Sequence, residues 1–476
     1  MIYTKQPRAF YNLAGLWELY FRKVLYKLLA LRLKIAINMR NDALKIFTAG
    51  VRAVQPQYLL PRHMRWQQQQ LQLGDRLFKQ SDINKVYVIG AGKASAAMAR
   101  ETEHILGSRI DAGLIVTKYE HTFPLKTIQC IEAAHPVPDD NSVRAGREMI
   151  RLLKNATEKD VVIALISGGA SALLVDCPPG ILLSELQVVF NKLLQCGATI
   201  EEMNTVRKHL SAGIKGGQLL RTAWPATVVS FILSDVIGNP LDSIASGPTV
   251  ADRSTFADAW EIIRQYQLPE KLPVSIIRWL QLGLNQQVAE TPKPDDSVFT
   301  KSYNYLIGTN RVALEAAAAM ARDLHYAPVI VTDSLKGEAR DKAQELVARV
   351  QQYDGPRPAC LLLGGETTVT IKSAGKGGRN QEFALAALIA LQQAFPDNDQ
   401  MPVILSAGTD GTDGPTNAAG AVVDKGVLQQ AAQRGLLPEK YLEQNDSWNF
   451  FNQVSGHVIT GPTFTNVMDV IVVLIP

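Results

Sequence analysis

From residue 84 onward, apolar runs of strand length alternate with amphipathic stretches of helical length, and the runs tend to end in Gly, Ser or Asp. A chain with this rhythm returns each strand to one sheet through a helical crossover, so it predicts βαβ units and a largely parallel sheet. The first strand falls on Val86–Ile89 with a helix over Ala94–Leu106 behind it, and further strands fall on Ala112–Thr117, Val161–Ile166 and Thr227–Leu233. Small and polar residues at such strand ends form the crevice in which open α/β sheets take ligands. At 476 residues the chain exceeds the roughly 250–300 residues at which single cores stop growing, which points to two domains.

Residues 285–300 are polar and Pro-containing without apolar period, the composition of a linker, and place a boundary between domains at 39–284 and 301–476. Beyond it the alternation resumes with strands at Tyr305–Ile307, Pro328–Thr332 and Ala359–Leu363 and helices at Arg311–Asp323 and Gly337–Tyr353. Val369-Thr370-Ile371 alternates like an antiparallel strand, and Val403–Ser406 and Val470–Ile475 read as buried strands, so the second sheet is expected to be mixed.

Residues 1–38 hold seven Lys or Arg against Glu18, which leaves the rest of the chain near −2 out of a formal net charge of +4. No global basic field is left to recruit nucleic acid. Charges interrupt Leu13–Ile37 too often for the ~20 apolar residues of a bilayer span, and no secretory cleavage pattern follows, so the core is expected to be cytoplasmic and off the membrane. The extension reads as a targeting or surface helix, or as sequence ahead of a true start at Met39, where an amphipathic helix opens. Cys130, Cys177, Cys196 and Cys360 are scattered, with neither a disulfide framework nor a zinc spacing.

The chemistry gathers at strand ends. Gly90-Ala91-Gly92-Lys93-Ala94-Ser95 joins a strand to a helix, where Gly90 and Gly92 let backbone approach an anion and Lys93 supplies a point charge for phosphate or carboxylate. It is neither a dinucleotide fingerprint, since Ser95 replaces the third Gly, nor a P-loop, since Tyr87 replaces the first. A tight turn with a solvated lysine is the competing reading. Ser167-Gly168-Gly169-Ala170-Ser171 repeats the logic with bare N–H groups; it lacks the G-x-S-x-G elbow, so anion cradling fits better than a Ser nucleophile. Arg207 sits in a basic helical cluster, readable as an anion clamp or a solvated face, and Asp235 closes a strand where an acid holds Mg²⁺, accepts a hydroxyl proton or forms an Asx turn. In the second half Gly377, Gly378 and Arg379 open a helix expected to face an anion, and Thr409 and Asp410 belong to a Gly-Thr-Asp-Gly-Thr-Asp-Gly-Pro loop without EF-hand spacing. His135, flanked by Pro136 and Pro138, reads as a structural or substrate-shaping residue.

Taken in order, the Gly-Ala-Gly-Lys-Ala-Ser, His-Pro-Val-Pro-Asp, Ser-Gly-Gly-Ala-Ser, Asn-Thr-Val-Arg-Lys-His, Leu-Ser-Asp-Val and Ser-Gly-Pro-Thr motifs resemble the N-terminal half of the glycerate 2-kinase family. Gly-Gly-Glu-Thr-Thr, Gly-Gly-Arg-Asn-Gln-Glu, Gly-Thr-Asp-Gly-Thr-Asp-Gly-Pro and Gly-Pro-Thr-Phe-Thr-Asn-Val resemble its C-terminal, MOFRL-type domain. The resemblance spans 39–476. It implies an α/β fold with a Rossmann-like N-terminal domain, a smaller α/β C-terminal domain of mixed sheet and an active site in the interdomain cleft. It also implies ATP, Mg²⁺ and transfer to the 2-hydroxyl of D-glycerate, with the family's catalytic lysine and arginine on Lys93 and Arg379. On this basis Asp235 or Asp410 would bind Mg²⁺, with Asp235 also a candidate proton acceptor. Ser167, Gly168 and Gly169 would offer N–H groups to phosphate or carboxylate, beside Arg207. Thr412 departs from the apolar residue common there. The small-molecule substrate needs no macromolecular partner, and a homodimer is compatible with the sequence. The rival readings are an NAD(P)H-dependent hydroxypyruvate reductase, a name relatives often carry, and a non-catalytic regulator binding a sugar acid or nucleotide.

Overall fold

The computed structural model describes residues 39–396 and 400–476; the expectations for residues 1–38 lie outside them. Three sheets organise the described residues. A small antiparallel meander, β1 (Met64–Gln67), β2 (Gln70–Leu73) and β3 (Arg76–Lys79), precedes the first large sheet and was not anticipated from sequence. Its strands are short and half polar, so they carry little apolar signal.

The first large sheet contains β4 (Val86–Ala91), β5 (Ala112–Lys118), β6 (Ile128–Ala133), β7 (Val161–Ile166), β8 (Thr227–Leu233) and β9 (Ser302–Gly308) in the order β6-β5-β4-β7-β8-β9, every neighbouring pair parallel. Counted within the sheet this is the doubly wound order 3-2-1-4-5-6, so the strand order reverses between β4 and β7. Both strands are buried along their whole length, which is why they read as continuous apolar runs.

The second large sheet contains β10 (Ala327–Glu338), β11 (Ala359–Thr368), β12 (Val403–Gly408), β13 (Gly420–Val423), β14 (His457–Val458) and β15 (Asp469–Ile475). Its order is β10-β11-β15-β12-β13-β14; only β10 and β11 run parallel, so the sheet is mixed as expected. Val369-Thr370-Ile371 is not a strand, because β11 has already left the sheet and Ile371 stands exposed.

Two segments make contacts that cross the domain limits drawn from sequence. Residues 285–300 are a docked segment rather than a linker. Thr291 is buried against Asp252, Glu290 accepts the Phe256 N–H at 2.8 Å, and Arg221 Nη1 donates to the Glu290 carbonyl at 2.9 Å. The segment delivers β9 to β8, so the strand assigned to the second half completes the first sheet. Conversely, helical residues 39–53 pack on the helix Asn310–Asp323 of the second half. A Cβ at Gly50 would stand 2.9 Å from the Ala313 carbonyl oxygen, and Arg40 reaches Asp424 at 2.9 Å. Amphipathicity announces a helix but not its partner.

Candidate active site

The turn after β4 and the turn after β7 meet at the reversal point of the first sheet. Gly92, at φ +127, is required because any Cβ would fall 2.2 Å from Ser167 Oγ. The close approach consumes the turn's own donors. Gly92 N–H donates to the Val116 carbonyl at 3.1 Å, Lys93 N–H to the Gly168 carbonyl at 2.9 Å, and Ala94 N–H to Ser167 Oγ at 3.0 Å. Ser167 N–H donates to the Ala91 carbonyl at 3.0 Å. Gly90 lies inside β4, where a Cβ would meet the Leu165 carbonyl oxygen at 2.7 Å. Gly90, Gly92 and Ser167 therefore build the turn and have no N–H to offer an anion. Gly168 and Gly169 do, since neither N–H has a protein partner among the described residues.

Lys93 projects from this turn, and its Nζ lies 3.9 Å from Asp410 Oδ2 of the second half, both side chains about a quarter exposed. Thr412 N–H (3.0 Å) and Oγ1 (3.1 Å) donate to the other oxygen of Asp410, so the departure noted in the sequence orients an acid of the site. Asp235, just beyond β8, leans on Gly168 so closely that a Cβ there would sit 1.7 Å from its Oδ2. Asn466 Nδ2 of the second half donates to the same oxygen at 3.3 Å. Burial raises the Asp235 carboxyl above the usual range, partly offset by Lys93. Burial, with Lys93 and Lys118 adding, pushes His135 down to about 4, so the ring is neutral at pH 7; it lies against Gly169.

Arg379 opens the helix Arg379–Ala394 and is fully paired: Nε and Nη2 donate to Asp469 at 2.6 and 3.0 Å, and Nη1 lies 2.6 Å from Glu366. Against burial, which acts the other way, Asp469 and Glu366 raise its pKa. Neither acid was singled out from sequence, although Asp469 is the one charge opening an otherwise apolar terminal strand. The start of this helix is occupied by the protein itself. Asp413 accepts from Asn380 N–H at 3.0 Å and Gln381 N–H at 2.9 Å, and a Cβ at Gly378 would lie 2.3 Å from its Cγ. Gly378 thus makes room for an internal carboxylate, and a Gly377 Cβ would meet Ser447 Oγ at 2.2 Å. The expected external anion site at Gly377 and Gly378 is filled by Asp413. Thr409 is also spent: fully buried, its Oγ1 donates to the Met468 carbonyl at 2.7 Å and accepts from Val467 N–H at 2.8 Å.

Arg207 lines the same cavity as Asp235 and lies over the Phe190 ring with its Cζ 5.1 Å from the centroid, and burial lowers its pKa. Its Nη1 makes a single long bond, 3.4 Å, to Asn204 Oδ1, which also receives Ser246 Oγ at 3.1 Å; Ser246 in turn meets Ser171 Oγ at 3.0 Å. Beneath them Lys215 Nζ donates to the carbonyls of Ser171 and Leu174 at 2.8 and 3.1 Å, and burial pulls its pKa to about 7. This cluster fixes the floor of a cavity that contains His135, Gly169, Arg207 and Asp235.

Among the described residues no group of three or more His, Cys, Asp or Glu side chains is arranged to hold a metal. Asp235 and Asp410 are nevertheless hard oxygen donors that both lie near Lys93. They fit Mg²⁺, which takes one or two carboxylates together with substrate phosphates rather than an all-protein cage.

Two family profiles match the chain: one described as a domain of unknown function, DUF4147, over residues 42–281, and the MOFRL family over 359–469. A glycerate 2-kinase of Pyrococcus horikoshii is 38% identical over 449 residues, covering 93% of this chain and 98% of that protein. A relative from Agrobacterium vitis, named only provisionally as a hydroxypyruvate reductase, is 42% identical over 397 residues, covering 82% of this chain and 86% of that protein. The crystal structure of a glycerate kinase from Thermotoga maritima, 36% identical, matches with a TM-score of 0.80 over 92% of this chain and all of that one. No helix among the described residues is long and apolar enough to cross a membrane.

Proposed function

The chain belongs to the glycerate 2-kinase family, with a DUF4147 region followed by a MOFRL region, and from that premise we propose that it phosphorylates the 2-hydroxyl of D-glycerate with ATP. The observation that carries the reading is the meeting of Lys93 and Asp235 from the first half with Asp410 and Asn466 from the second, beside two unpaired N–H groups at Gly168 and Gly169. Phosphoryl transfer asks a protein for positioning and charge neutralisation, and this constellation of groups from both halves supports both.

The glycerate hydroxyl oxygen attacks the γ-phosphorus, the bond to the β-phosphate oxygen breaks, and ADP leaves. Asp235, whose carboxyl is raised by burial, takes the hydroxyl proton. Lys93 stabilises charge on the transferring group once a nucleotide draws it from Asp410. Gly168 and Gly169 donate to anionic oxygens, and Arg207, with donors left over, holds a second anion. Arg379 acts as a positioning residue, holding Asp469 and Glu366 behind the site. Mg²⁺ at Asp235 and Asp410 would neutralise phosphate charge when bound. The free thiols, with no disulfide among the described residues, suit a cytoplasmic setting.

The reductase reading is disfavoured by the β4 turn. A dinucleotide's pyrophosphate needs free N–H groups there, and those of Gly92, Lys93 and Ala94 are bound internally. The test pairs ATP with D-glycerate, products resolved by phosphorus NMR into 2- and 3-phosphoglycerate, against NADH oxidation with hydroxypyruvate. Reduction without phosphorylation would overturn the proposal, as would 3-phosphoglycerate as sole product.

A further inference from the structure

The cavity beside Asp235 is larger and more apolar than a three-carbon acid requires. Its volume is about 370 Å³, within the ~300–1,000 Å³ of pockets that enclose drug-sized molecules. Part of its lining is His135, Gly169 and Asp235, where the reaction is proposed. Another part is walled by the helices Leu183–Gln195 and Ile200–His209, which present Phe190, Leu194, Ile200 and Met203. Leu194 is 67% and Ile200 50% exposed, so protein leaves much of this wall uncovered. Glycerate carries an oxygen on every carbon and has no surface to match such a wall, whereas a purine has two apolar faces and a polar edge. Asn191 also lines the wall, and among the described residues its side-chain amide makes no hydrogen bond. One amide donor and one acceptor side by side are what the N6/N7 edge of adenine pairs with. Arg207, over Phe190, is the cation of this wall and lines the same cavity as Asp235.

We propose that this cavity seats the adenine base of the nucleotide, its faces against Phe190, Leu194, Ile200 and Met203 and its edge on Asn191, with the phosphates passing Arg207 toward Gly168, Gly169 and Lys93. The inference rests on the kinase reading and deepens it by assigning the donor's base to the helical wall of the first half. The hydroxy acid is then left to the side of the centre where Asp410 and Asn466 approach.

The test uses the full chain with Leu194→Asp, Ile200→Asp and Asn191→Ala. All three positions are exposed, so the variants are expected to fold, which thermal denaturation verifies. Binding of a fluorescent ADP analogue and steady-state KM values for ATP and glycerate are measured for each. Loss of base contact is expected to weaken ADP binding and raise the KM for ATP roughly tenfold or more, leaving the KM for glycerate within about twofold. A rise in the KM for glycerate with unchanged ADP binding would assign the wall to the hydroxy acid and overturn the inference; no change in either would overturn it too. If the wild-type chain phosphorylates glycerate while the variants bind ADP as it does, the adenine seat alone falls. A wild-type chain that neither binds ADP nor makes phosphoglycerate removes the kinase reading and this inference with it.

Discussion

Gly168→Ala tests the site through one methyl group. Gly168 is not among the glycines with positive φ, so alanine is compatible with its backbone. The added carbon would lie 1.7 Å from Asp235 Oδ2 and 2.2 Å from Cγ, whereas real Cβ contacts essentially never fall below 3.0 Å. The carboxylate must therefore retreat by at least about 1.3 Å, which also breaks the 3.3 Å bond from Asn466. A displacement near 1 Å at a reacting group costs on the order of a hundredfold in rate, about 2.7 kcal/mol of barrier. A coupled ADP-release assay should thus find kcat lowered about a hundredfold, with the melting temperature within a few degrees because the clash falls on a partly exposed side chain. Asp235→Asn, which keeps the shape and removes the proposed base, should match or exceed that loss. A Gly168→Ala enzyme within threefold of wild type, measured beside a crippled Asp235→Asn, would refute the claim that this glycine holds the acid in place.

Lys93→Met and Arg379→Met should separate in stability. The open 3.9 Å contact of Lys93 with Asp410 is worth about 0–1 kcal/mol, so Lys93→Met should lose activity by roughly a hundredfold or more with little change in thermal denaturation. Arg379→Met strands the buried Asp469 carboxylate and should cost about 3 kcal/mol, read as a clear drop in denaturation midpoint. Asp413 is pushed up to about 6, chiefly by burial, above an unfolded value near 3.9. The folded state then holds the proton longer, so this group's contribution is complete below about pH 4 and declines as pH rises through about 6. Urea titrations across that window should show Asp413→Asn flattening the slope. His135 acts in the opposite sense. Its folded value of about 4 lies below the unfolded ~6.5, so its contribution is lost as pH falls from about 6.5 toward 4, and His135→Gln should remove that acid-side decline. Chelation should abolish turnover reversibly without moving the denaturation midpoint, because no cluster of three or more ligating side chains is present among the described residues; a lower midpoint on chelation would contradict a metal that arrives with the nucleotide.

Long apolar runs buried on both faces, such as Val161–Ile166, were legible as strands, whereas the four-residue β13, equally buried, and the partly exposed β6 were not; Lys93, Asp235 and Asp410, read at strand ends, lie near one another. What stayed hidden was set by partners distant along the chain. A Gly-rich helix start looks identical whether a ligand or Asp413, thirty-odd residues later, fills it. Gly90 and Gly92 read as ligand-facing because close backbone approach demands glycine, but what approaches is Leu165 of β7 at Gly90 and the turn after β7 at Gly92, not an anion. The docking of 285–300 was equally illegible, since a polar segment whose side chains meet Asp252, His209 and Phe256 has the composition of a free one.

The charges at the centre also constrain how a nucleotide can arrive. Arg379 is committed to Asp469 and Glu366, and Lys93 already faces Asp410, while Asp235 and Glu366 are both raised by burial and by neighbouring acids. Four carboxylates thus surround these two cations, with Arg207 the one further cation among the described residues that line the cavity beside Asp235. A bare polyphosphate entering beside them would meet net negative charge, in a partly desolvated setting where repulsion is weakly screened. If it arrived as its magnesium complex, it would bring the countercharge that Asp235 and Asp410 lack and free Lys93 for the transferring group, as the proposed function requires. On this account Asp410→Asn relieves the repulsion but removes a metal donor. It should therefore bind metal-free ATP more tightly than the wild type while turning over more slowly, a pairing of opposite signs that calorimetry and the kinase assay read separately. A variant that weakens both, or strengthens both, would show that Asp410 serves only as a counterion to Lys93.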